Sequence, residues 1–96
     1  MFITTTSSQP TAEQAKHIEA FLADFMPRLE KFPGVKAVYH FLRPEHQDDV
    51  TLIIWEDQAA MQKYRVSALF QEAAAFENAH QSPAVREGFP LVYPPS

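Results

Sequence analysis

The sequence predicts an α+β fold, with a four-stranded antiparallel sheet and its helices packed on one face. Three observations predict it. Short segments rich in β-branched and aromatic residues alternate with longer stretches whose apolar residues recur at helical spacing. The breaks between them carry Pro, Gly or a residue suited to an N-cap. The 96 residues suffice for one domain, residues 1–96, and 46% of them are apolar and 12% aromatic, a globular rather than a disordered composition.

Residues 2–8 (Phe-Ile-Thr-Thr-Thr-Ser-Ser) form the first strand, ended by Gln9-Pro10. Thr11 is a good N-cap and Gln14 completes a capping box. Ile18, Phe21, Leu22, Phe25, Leu29 and Phe32 then lie on one helical stripe. Pro27 interrupts it, so the helix either kinks there or stops near Ala23 and restarts with Pro27 as its first residue. Pro33-Gly34 is a turn, residues 35–43 a second strand, 44–49 a polar loop and 50–56 a third strand. Asp57 caps a short helix whose apolar side is Ala60, Met61 and Tyr64. Ser67 caps another, with Leu69, Ala73 and Phe76 facing inward, and Ser82-Pro83 breaks it. The last strand spans residues 88–93 before Pro94-Pro95. The resulting order, β-α-β-β-α-(α)-β, is the ferredoxin-like arrangement.

Strands two and three are apolar on both faces, although helices can cover only one. Val50, Leu52 and Ile54 point one way, and Thr51, Ile53 and Trp55 the other; Val38, His40 and Leu42 oppose Ala37, Tyr39 and Phe41. An uncovered apolar face marks an interface or a ligand cavity. A homodimer paired through the open sheet face is therefore expected, with a ligand cavity between the sheets.

Composition narrows the function. Eight Lys+Arg against 12 Asp+Glu give a net charge of −4, so no nucleic-acid partner is expected. Zero Cys removes disulfides, thiol nucleophiles and iron–sulfur ligation. The first basic residue is Lys16 and no apolar run reaches the roughly 18–20 residues of a membrane span, which points to a soluble cytoplasmic protein without membrane partners. Gly34 and Gly88, the only two glycines, build no phosphate-cradling loop, and no His pair has metal-binding helical spacing. No cofactor and no metal are expected.

Several segments resemble the antibiotic biosynthesis monooxygenase family. Pro33-Gly34-Val35 is similar to the family's turn into strand two, Ile53-Ile54-Trp55-Glu56-Asp57 to its strand three with the helix cap, and Ser67-Ala68-Leu69-Phe70 to the "S-x-x-F" opening its last helix. In organisation the resemblance covers the chain from Phe2 to Pro94. It implies ferredoxin-like protomers pairing sheet to sheet as a dimeric α/β barrel. It also implies a cofactor-independent monooxygenase acting on a small phenol, quinol or polyketide-like aromatic. The haem-degrading relatives carry Asn, Trp and His where this chain has Thr6, Tyr64 and Ala74, so haem chemistry is not implied. Trp55 matches the strand-three Trp of the aromatic-oxidising relatives; Thr51 stands where they have Asn.

The candidate catalytic residues are His40, as base toward a phenolic proton, with Thr51 and Tyr64 holding the oxyanion. The candidate substrate-binding residues are Trp55, Tyr39 and Arg43. Trp55 is either a pocket wall whose indole N–H polarises an oxygen or a large core residue at the dimer contact. Arg43 is either a guide for an anionic substrate or the partner of Glu56 at neighbouring strand ends. His46 with Asp48-Asp49 reads as loop composition rather than a metal site, His17 as solvated and His80 as a helix C-terminal residue. The alternative function is a non-catalytic dimeric module that binds a small ligand or serves protein association.

Overall fold

The computed structural model describes residues 1–80 and 84–95. The elements are β1 (Phe2–Ser8), α1 (Ala12–Glu30), β2 (Val35–Arg43), β3 (Asp48–Trp55), α2 (Gln58–Arg65), α3 (Ala68–Ala79) and β4 (Val85–Pro90). The four strands make one antiparallel sheet in the order β2-β3-β1-β4, the ferredoxin-like arrangement expected from the element order.

The local signals at the helix starts are realised as written in the sequence. Thr11 and Gln14 form the reciprocal capping box at the start of α1, and Asp57 and Ser67 accept from the backbone N–H groups of Ala60 and Phe70. Each satisfies a donor that the first helical turn leaves unpaired. Gly34 sits at φ +93 in the turn before β2, and a Cβ there would lie 2.4 Å from that of Ala60. Only glycine serves this turn.

Four expectations are corrected. Helix α1 continues through Pro27, so the stop near Ala23 with a restart at Pro27 does not occur. Pro27 lies near the helix end and is exposed together with Ala23, so water can satisfy the carbonyl left without its donor, while the buried Phe25 and Leu29 hold the helix to the core. Strand β3 starts at Asp48, because the reversal is completed within residues 44–47, where Gln47 takes φ 54. Strand β4 is Val85–Pro90, not residues 88–93, since it pairs with β1 from Ser7↔Val85 to Phe2↔Pro90. One more bond, Leu91 N–H to the Met1 carbonyl, ends the ladder. Finally, Arg43 pairs with Asp48, not Glu56. Arg43 and Asp48 are opposed at the hairpin, whereas Glu56 follows the far end of β3. The expected break at Ser82-Pro83 lies outside the described residues.

The core fills the space between sheet and helices at one end. Phe25 and Leu29 of α1 meet Ile53 and Trp55 of β3 and Ala60, Met61 and Tyr64 of α2. Trp55 is 0% exposed, and its ring lies 5.3 Å from Tyr64 and edge-on to Phe32 at 6.4 Å. Among the described residues no helix is long and apolar enough to cross a membrane.

Candidate functional site

Strand parity decides which side chains face the helices. The pairings His40↔Thr51, Thr6↔Thr51 and Thr6↔Arg86 place these four residues in one row across the helix-side face. Val38, Ile53, Thr4 and Gly88 form the next row, and Trp55 lies opposite Phe2 beyond it. The face is therefore apolar at the Trp55 end and polar at the other.

A cavity of about 120 Å³ lies over this face, roofed by Phe21 and Phe25 of α1 and by Phe70 and Phe76 of α3. It sits inside the protomer, between sheet and helices, rather than on the open sheet face. Its apolar wall is Ile53, Trp55 and the Phe rings; its polar wall is Thr6, Ser8, Thr51, Asp49, Glu77 and Arg86, with Tyr64 also reaching it. A cavity near 150 Å³ is enough to hold benzene, so this volume is on the scale of one ring.

Thr51, Trp55 and Tyr64 are thus brought together as the sequence indicated. Trp55 is a wall of the cavity and part of the protomer's own core. Its indole N–H donates to Thr4 Oγ1 at 2.9 Å, which uses the only hydrogen bond that an indole can donate. It is therefore not available to polarise a substrate oxygen. Burial pushes the Tyr64 hydroxyl up to about 12, with the Arg86 charge opposing and Glu77 reinforcing that shift. Tyr64 accordingly stays a neutral phenol at physiological pH, able to donate but not to act as a base.

His40 is on the helix-side face but stands at the cavity's rim, beyond its lining. Its Nε2 lies 2.5 Å from Asp49 Oδ1, and Asp49 is the member of this pair that lines the cavity. Tyr39 and Arg43 are not brought to the cavity. Both have the opposite parity in β2 and stand on the open sheet face, Tyr39 56% exposed and Arg43 joined to Asp48. The Arg43 guanidinium beside it holds the Asp48 carboxyl below the usual carboxylate range.

Sequence reading missed Asp49, Glu77 and Arg86. Arg86 Nη2 bonds Glu77 Oε2, and its Cζ lies 5.1 Å from the centre of the Phe70 ring. One signal was present: Phe70, Ala73 and Glu77 share the inner stripe of α3, so Glu77 is a carboxylate on an apolar face. Elsewhere, His17 stacks on His80 at 4.7 Å, and His80 is the C-cap of α3. Among the described residues no cluster of three or more His, Cys, Asp or Glu could hold a metal ion.

The family model for antibiotic biosynthesis monooxygenases matches residues 1–75. The chain belongs to that family. Among solved structures, a candidate antibiotic biosynthesis monooxygenase of Deinococcus radiodurans superposes with a TM-score of 0.86 at 13% identity, covering 95% of this chain and 92% of that one. Rv0793 of Mycobacterium tuberculosis superposes with a TM-score of 0.85 at 11% identity, covering 99% and 98%. At these identities the likeness is one of fold. No curated protein sequence matches the chain. Glu77 and Arg86 lie beyond the matched residues, so the family's common pattern says nothing of them.

Proposed function

We propose that this antibiotic biosynthesis monooxygenase family member oxygenates a small phenol or quinol in the cavity between sheet and helices, without a cofactor. The observation that carries this reading is the cavity itself, one ring in scale, with an aromatic wall at one end and the hydroxyl-bearing Thr51 and Tyr64 among its lining residues. Among the described residues neither hydroxyl has a protein hydrogen-bond partner, so both can donate to a bound oxygen. A fused polyketide-like ring system is larger than this volume, which favours the single-ring substrate.

The phenolic proton passes to the His40–Asp49 pair through the carboxylate that reaches the cavity, and the ring becomes electron-rich. Thr51 and Tyr64 hold the oxyanion, and Trp55 with the Phe rings keeps water from it. O₂ then gives one oxygen atom to a ring carbon that bears hydrogen, opposite the oxyanion in a phenol or beside it in a quinol, and leaves with the other as water. The substrate is oxidised to a quinone, and the electrons come from the ring itself. An oxygen electrode with a panel of single-ring phenols and hydroquinones tests this: enzyme-dependent uptake with one oxygen atom incorporated into a quinone product is expected, and no uptake above buffer across the panel overturns it. Ring binding without uptake would leave the alternative, a binding module.

The active form we propose is a homodimer paired through the open sheet face. Tyr39, Phe41, Val85 and Phe89 stand on that face, each more than a third exposed, and such a patch calls for cover. Light scattering at low micromolar concentration should give twice the 10.9 kDa chain mass, and a clean monomer would overturn this.

A further inference from the structure

The cavity's polar wall carries a guanidinium that the proposed oxygenation does not use. Arg86 enters it from β4, in the same row as Thr6 and Thr51. A guanidinium has five N–H donors, and among the described residues Glu77 is the only hydrogen-bond partner of this one. Glu77 holds one edge, and the Phe70 ring lies against its face at 5.1 Å, so its position is set before a ligand arrives. The remaining donors suit a planar, two-oxygen acceptor. Of the cavity's two carboxylates, Glu77 is paired with Arg86 and Asp49 is hydrogen-bonded to His40. Two strand spacings, about 10 Å, separate Arg86 from Thr51 at the backbone, and side chains reaching inward from both leave room for one ring between them.

We propose that Arg86 is a specificity-determining residue: the cavity selects an aromatic ring that carries a carboxylate besides its phenolic oxygen, and Arg86 grips that carboxylate. This rests on the reading of the cavity as the substrate site. The chain has one Trp, so ¹⁵N-labelled protein shows a single indole N–H resonance, from Trp55 on the cavity wall. Titration with benzoate and with benzyl alcohol, which keeps the ring and lacks the charge, should move that resonance in both cases, benzoate at about tenfold lower concentration. R86Q should weaken benzoate about tenfold or more and change benzyl alcohol by less than about twofold. R86K, which keeps the charge without the fork, should fall between and serves if R86Q does not fold. Benzoate binding unchanged in the Arg86 variants, or equal loss of both probes, overturns the role of Arg86 while leaving the ring site standing. No movement with either probe in the wild type overturns the substrate site as well.

Discussion

The two ends of the layer between sheet and helices are built from the same strands and serve opposite purposes. At the Trp55 end, Leu29 is 1% and Trp55 0% exposed, and Thr4, the one buried polar residue among the described residues, accepts from the indole. Four residues along β3, about 13 Å away, the row from His40 through Thr51 and Thr6 to Arg86 is half-covered, polar and incompletely paired. One end is closed by α2 and by Phe25 and Leu29, whereas the other is bridged by the facing Phe rings of α1 and α3, with Phe21 stacked on Phe76 at 4.3 Å. The difference separates a closed core from the wall where the proposed chemistry would take place. Close packing at one end holds the sheet rigid enough for unpaired hydroxyls to stand open to a ligand at the other.

The comparison breaks most severely at Trp55. Trp55→Ala removes the largest buried side chain and should cost about 3–5 kcal/mol, out of the roughly 5–15 kcal/mol typical of whole domains. Urea unfolding followed by circular dichroism should show the midpoint falling sharply or the folded state lost. Trp55→Phe keeps most of the ring but leaves Thr4 without its donor, and should cost a smaller amount, about 1–3 kcal/mol.

Much of this division was legible in the sequence, because it depends on local rules. The caps at Thr11, Asp57 and Ser67 act within one turn, and two-residue alternation in strand three places Thr51 and Trp55 on one face. The same alternation separates Tyr39 and Arg43 from His40, so assigning them to one site ran against the pattern. What escaped reading was what depends on register. Leu91-Val92-Tyr93 looks more strand-like than Val85-Arg86-Glu87-Gly88, yet pairing with β1 selects the latter. The Asp49–His40 and Glu77–Arg86 pairs join residues from different elements or strands, which only the folded topology brings together.

Tyr64 sharpens the boundary from the middle. It belongs to the core and also reaches the cavity, and burial raises its hydroxyl to about 12 against an ordinary value of 10.0. Its folded value lies above its unfolded one, so its contribution to stability is complete below pH 10 and is lost as pH rises toward 12. Over that window the unfolded chain releases a proton that the folded chain keeps, which costs about 2–3 kcal/mol by pH 12. Urea midpoints measured from pH 9 to 12 should therefore fall more steeply for the wild type than for Tyr64→Phe. Parallel slopes would mean that Tyr64 is wetter than its packing against Trp55, Phe32 and Phe70 indicates.

The smallest effect on stability is expected at Thr51, and it is the most telling. Thr51 has no protein hydrogen-bond partner among the described residues, so Thr51→Val leaves no buried group orphaned. It also exchanges a hydroxyl for a methyl group of similar shape on a half-covered wall. The unfolding free energy should change by less than about 1 kcal/mol in either direction. Oxygen uptake should respond differently. In the proposed reaction the hydroxyl donates to an oxyanion that exists only after the phenolic proton has left, and losing one such charge-assisted bond should slow turnover by about tenfold or more. Measured together on one preparation, an unchanged urea midpoint and a depressed rate would place Thr51 on the chemical side of the boundary. A midpoint that falls as far as that of Trp55→Phe would show that the polar row is part of the core, and that the two ends of the layer do not divide the work.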